Sequence, residues 1–195
     1  MHCTPRPPHC TTRHDLCTHA CLRLPISQGP PGWTNGTHET LTPHPDYFTT
    51  LLWRQLVGMT VLNSSLTGND TQFFASAWCA GARAPYGAGG SVVVVYANLA
   101  DRVQSVELPP VLAAAKHSSF QLTPAAAPPT FDDLRSDAMF LNGALLYVLA
   151  DGSLPTFPFP GVSAGPHATL ETAPYSYGFI IFATTATDVP ACAAV

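Results

Sequence analysis

The chain has 195 residues, 46% of them hydrophobic and only 10% charged, with 20 prolines and a formal net charge of −4. That is enough apolar material for one domain with a real core and too little chain for two full ones. A charged share well below the usual ~25% excludes a coiled coil, a long helical bundle and charge-driven disorder. The eight basic residues, with Lys116 the single lysine, are scattered and leave no electropositive footprint, so nucleic acid is not an expected partner.

Residues 1–45 read differently from the rest. Cys3, Cys10, Cys17 and Cys21 stand with His9, His14 and His19 among Pro, Thr and Arg, and a Pro-, Gly- and Thr-rich stretch follows with no apolar period. A zinc site would use closely spaced ligand pairs such as C-x2-C or C-x4-C followed by a second such pair, whereas the gaps between these cysteines are six, six and three. A disordered or spurious leader is the expected reading, with no metal and no cofactor. The opening also lacks the basic start and apolar stretch of a secretory signal. Even so, Asn35, Asn63 and Asn69 each begin an N-glycosylation triplet, and six cysteines suit an oxidising compartment. Those features together suggest the C-terminal piece of a longer secreted protein, or a misplaced start.

A helix is expected from Asp46 to Val57. Asp46 can cap it, Leu51, Leu52, Trp53, Leu56 and Val57 recur at helical spacing, and Gly58 stands where a left-handed terminator belongs. Beyond it the pattern turns to β. Short runs rich in Val, Phe, Tyr and Thr are expected as strands at 60–66, 72–79, 91–97, 103–108, 119–122, 138–141, 145–149 and 176–184. Asn142-Gly143 is a two-residue hairpin signal because both positions require positive φ, and Asp151-Gly152 marks a further turn. Gly87-Ala88-Gly89-Gly90 reads as a flexible hairpin tip, since phosphate loops follow a strand and open a helix. The fold class is therefore all-β: an antiparallel β-sandwich of about eight strands behind one helix. No apolar run approaches the ~20 residues of a membrane-spanning helix.

The chemistry-bearing residues are sparse. Only Glu39, Glu107 and Glu171 are glutamates: the first lies in the leader, the second at a strand end before Pro109-Pro110, the third near an expected loop. Asp132 and Asp133 are adjacent, and on a strand neighbours point to opposite faces. No nucleophile elbow, H-E-x-x-H or phosphate loop is present. His117 and His167 are expected to stand alone at the surface. Cys79 and Cys192 could be bonded, tying the chain end to the sheet, or could be free buried thiols. Trp78, Tyr86 and Tyr147 are the candidates for sugar stacking, although aromatics alternating along strands are more often core.

The C-terminal text is more specific. Leu134-Arg135-Ser136-Asp137-Ala138-Met139-Phe140-Leu141-Asn142-Gly143, Leu154-Pro155, Ala173-Pro174-Tyr175-Ser176-Tyr177-Gly178-Phe179 and Val189-Pro190-Ala191-Cys192 follow in the order seen at the end of heparanase-like proteins of glycoside hydrolase family 79. Together with Leu51-Leu52-Trp53-Arg54-Gln55-Leu56-Val57-Gly58, the set resembles the plant-type branch over roughly residues 45–195. The resemblance implies a (β/α)8 barrel with two catalytic Glu, followed by a β-sandwich that packs on the barrel and is completed partly by strands from outside the C-terminal segment. It implies retaining hydrolysis of glucuronide-containing glycans such as heparan sulfate, outside the cell or in an acidic compartment, and a disulfide at Cys79 and Cys192.

On that reading residues 46–58 are the last barrel helix and 59–195 the sandwich. The missing upstream barrel would be the principal partner, and glycan would be met only through the parent. The family's Asn-Glu setting is absent from this sequence, so no catalytic residue is carried over. The expected function is a non-catalytic sandwich. The alternative is a free-standing carbohydrate-binding or interaction module.

Overall fold

The computed structural model describes residues 45–67, 71–87, 89–136, 138–146 and 158–193. The cysteine- and histidine-bearing leader, Asn35, Glu39, Asn69, Tyr147 and the Asp151-Gly152 turn lie outside the described residues.

Helix α1, Pro45–Leu56, is amphipathic, with Phe48, Leu52, Gln55 and Leu56 turned inward. Strand β1, Val57–Leu62, follows without a break. Gly58 is therefore not the helix terminator expected from the sequence. It is a strand residue pressed against β2, where an added Cβ would meet the Cys79 carbonyl oxygen at 2.8 Å. Glycine is needed there for close approach.

The remaining strands are β2 (Phe73–Ala80), β3 (Val92–Asn98), β4 (Gln104–Glu107), β5 (His117–Pro124), β6 (Met139–Leu141), β7 (Ala144–Leu146), β8 (Val162–Ala164), β9 (Thr169–Thr172) and β10 (Ser176–Phe182). A short helix α2, Pro110–Ala113, follows β4. Eight strands form one antiparallel sheet in the order β1-β2-β3-β10-β5-β6-β7, with β8 also paired to β5. The outer edge of β5 is divided, β8 taking His117 to Ser119 and β6 taking Leu122 to Pro124. β4 and β9 pair with each other as a separate ribbon.

The all-β class with one leading helix is thus the fold of the described residues, with its two layers very unequal. The central strands are apolar on both faces. Along β10, Phe179 and Ile181 join Val93, Phe120 and Leu122 beneath α1, while Ile180 and Phe182 join Val92, Tyr96 and Phe73 beneath the β4–β9 ribbon. A strand buried on both sides must read as an unbroken apolar run, which Phe179-Ile180-Ile181-Phe182 does. Asn142 and Gly143, at φ 50° and 82°, make the tight β6–β7 hairpin. β8 and β9 went unread because each is very short and flanked by Gly and Pro.

Asp132 and Asp133 lie in a 3-10 turn rather than a strand. Asp133 accepts hydrogen bonds from the Thr130 backbone N–H (2.8 Å) and hydroxyl (2.6 Å). These bonds hold its carboxyl below the usual carboxylate range. In the β2–β3 loop Gly87 and Gly89 face open space, but Gly90, at φ 115°, is packed so tightly on the Thr185 and Ala186 backbone that no Cβ fits. The glycine run is therefore open at one end and fixed at the other.

Candidate functional site

The β4–β9 ribbon crosses one face of the central sheet and leaves a depression on each side. Val106 and Leu170 point inward to the core, so the alternate residues Ser105, Glu107, Thr169 and Glu171 face solvent. On the β4 side lies an apolar groove of about 680 Å³, lined by Leu62, Leu66, Phe73, Ala75, Val94, Val111 and Leu112. Among the described residues β4 has no second partner strand, and its residues Val106 and Glu107 border this groove. On the β9 side lies a polar cleft of about 560 Å³, with Tyr96, His117, Gln121, Asn142, His167 and Glu171 in its walls.

Much of that polar cleft is internally satisfied. Gln121 Nε2 donates to Tyr96 Oη at 3.1 Å, Asn142 Oδ1 accepts from the Gln121 N–H at 2.8 Å, and Asn142 Nδ2 donates to the Ser119 carbonyl at 3.0 Å. Burial pushes the Tyr96 phenol up to about 12, so it stays neutral. His117 and His167 do not stand alone at the surface. Their rings meet edge to face at 5.6 Å, with His117 buried and His167 exposed above it. Sequence reasoning missed this pair because only the β5–β8 register, His117 opposite Ala164, brings residues so distant in the chain together.

The carboxylates are arranged otherwise than a glycosidase requires. Glu171 sits in β9, not in the loop expected from the sequence, and Glu107 ends β4. The register pairs Glu107 with Thr169 and Ser105 with Glu171, which makes the two glutamates diagonal neighbours on the solvent side of a two-stranded ribbon. Glycoside hydrolysis needs two carboxyls facing each other across a bound sugar. Here they stand side by side on the exposed face of the ribbon, Glu107 bordering the apolar groove and Glu171 the polar cleft, so that neither depression is lined by both. Among the described residues no group of three or more His, Cys, Asp or Glu could hold a metal ion.

Of the aromatic candidates Trp78 and Tyr86 lie among the described residues, and Tyr147 does not. Trp78 is half-buried and packs against the core beneath α1, with its Nε1 donating to Ser76 Oγ at 3.0 Å and its ring edge-on to Trp53 at 5.3 Å. Tyr86 lies apart, in the β2–β3 loop at φ 68°. Instead, an apolar patch is exposed beside α1. Trp53 is 38% exposed, Val61 60% and Phe74 54%, and the strand register puts Val61 and Phe74 on the same face as Trp78.

Cys79 and Cys192 are joined in a disulfide that ties the chain end to β2. Asn63 lies exposed just beyond β1, on the rim of the apolar groove. No helix of the described residues is long and apolar enough to cross a membrane.

No family model matches the chain. Among curated proteins it is 31% identical over 140 residues to heparanase of Gallus gallus, covering 71% of this chain and 26% of that protein. It is 29% identical over 141 residues to baicalin-beta-D-glucuronidase of Scutellaria baicalensis, covering 72% of this chain and 24% of the relative. Heparanase of Bos taurus matches at 29% over 140 residues, with 71% and 25% covered. The chain spans about a quarter of the length of these relatives.

Proposed function

From the premise that this chain carries a heparanase-like C-terminal region of glycoside hydrolase family 79, we propose that residues 59–195 act as the non-catalytic β-layer of a larger glycosidase, with α1 as the last helix of its barrel. The carrying observation is the placement of Glu107 and Glu171 on the outer side of the ribbon, where no cleft brings two carboxyls together.

Two further features support the reading. The patch of Trp53, Val61 and Phe74 beside α1 offers apolar surface to a barrel packed against that face. The apolar groove beside β4, a strand paired only with β9 among the described strands, offers contacts to a segment from elsewhere in the parent. A strand laid there would widen the ribbon toward an even sandwich.

The hydrolytic step belongs to the parent: two glutamates of the barrel acting by a retaining mechanism on glucuronide-containing glycans such as heparan sulfate. The Cys79–Cys192 disulfide and exposed Asn63 fit an exported or acidic-compartment protein. The purified chain is expected to release no product from a chromogenic glucuronide. Turnover that disappears in Glu107→Gln or Glu171→Gln would overturn the proposal.

A further inference from the structure

His117 opens β5 on the ribbon side with 8% of its surface exposed. Its ring lies 5.6 Å from that of Phe182 and 5.6 Å from that of His167, centroid to centroid. His167 belongs to the link 165–168, which joins β8, held on β5, to β9, held on β4. His117 grips this link twice, through a hydrogen bond to the Gly165 backbone and through the His167 ring. The geometry points to the His117–His167 pair as an acid-released clasp that holds the β8–β9 link, and with it the free edge of β9, onto the central sheet.

Neutral imidazoles pack edge to face without penalty. Two imidazolium rings at this spacing repel, and burial penalises the charge on the inner one. The groups around His117 do little to offset that. Tyr96 of β3 is a neutral phenol, β10 brings Ile180 and Phe182, and β8 brings Val162 and Ala164. Glu171 of β9 is the single acid among the cleft's lining residues and is exposed. Lys116, next in the chain, is exposed as well.

Burial first and His167 second hold His117 below the ordinary imidazole range, against the opposite pull of the Gly165 bond. A base whose pKa falls on folding binds fewer protons folded than unfolded. Its contribution is therefore complete above the unfolded value, ~6.5, and is lost as the pH drops from there through the lowered value.

The test is hydrogen exchange on the full chain at about pH 7.5 and about pH 5, corrected for intrinsic rates, spanning the range in which imidazoles titrate. Protection of amides 162–172 should fall several-fold more on acidification than that of β3. His167→Gln, an exposed substitution compatible with the fold, should make that fall measurably smaller and raise the NMR titration midpoint of His117, with the part owed to the burial of His117 left in place. An equal fall in both regions, a fall undiminished in His167→Gln, or a His117 midpoint indifferent to the substitution would each overturn the clasp.

Discussion

Asn98, at the end of β3, has no solvent exposure, and its amide does the work of a small junction. Nδ2 donates to the carbonyls of Arg102 (3.0 Å), Thr172 (3.3 Å) and Ala173 (2.8 Å), and Oδ1 accepts from the Ala100 N–H (3.0 Å). One side chain thereby joins the central sheet to the end of β9 and to the turn that leads into β4. Asn98→Ala would leave buried backbone groups without partners, and should cost about 2–4 kcal/mol, read as a lower urea midpoint. Glu171→Gln, on the solvent side of the same ribbon, should stay within about 0.5 kcal/mol of the unsubstituted chain. Nothing in the sequence distinguishes Asn98 from a loop asparagine, because its partners arrive from far along the chain. Asn142 differs: followed by Gly143, it announces its turn through local backbone sterics alone. Local chemistry is legible in a sequence; buried polar junctions and the His117–His167 contact are made by tertiary pairing and are not.

At the scale of elements, α1 was readable because its apolar stripe repeats at helical spacing, and its core-facing residues are wholly buried against the sheet. Leu52→Ala should destabilise by about 2–5 kcal/mol, as large-to-small changes in well-packed cores do. Gln55 adds a feature that apolar periodicity hides: its side chain exchanges two hydrogen bonds of 3.1 Å with the Phe159 backbone, securing the segment before β8 to the helix. The Cys79–Cys192 bond closes a loop with a sequence separation of 113. Replacing both cysteines by serine should lower stability by about 2–5 kcal/mol, measured by denaturant unfolding under non-reducing conditions. Eight expected strands correspond to places where Val, Phe, Tyr and Thr cluster. β8 and β9 escaped because at 3 and 4 residues they give too few alternations for a period and lack the local turn signal, Asn142-Gly143, that marks the equally short β6 and β7.

Across the whole molecule, the class of fold follows from composition and strand spacing, whereas the inequality of the two layers does not. A sequence gives the number of strands more readily than their division between sheets, since pairing of β10 between β3 and β5 is a long-range event. That inequality is also what gives the functional reading its physical basis. Among the described residues the β4–β9 ribbon covers only part of the apolar sheet face, leaving a groove that a further segment could cover.

The central claim is that bond-breaking carboxylates lie outside this chain, and covalent labelling tests it most directly. Retaining glycosidases form a glycosyl-enzyme intermediate on their nucleophile, so a mechanism-based glucuronide inactivator marks that residue in intact-mass spectra. The account predicts an unchanged mass for the purified chain. A stoichiometric adduct mapping to Glu107 or Glu171 would contradict it.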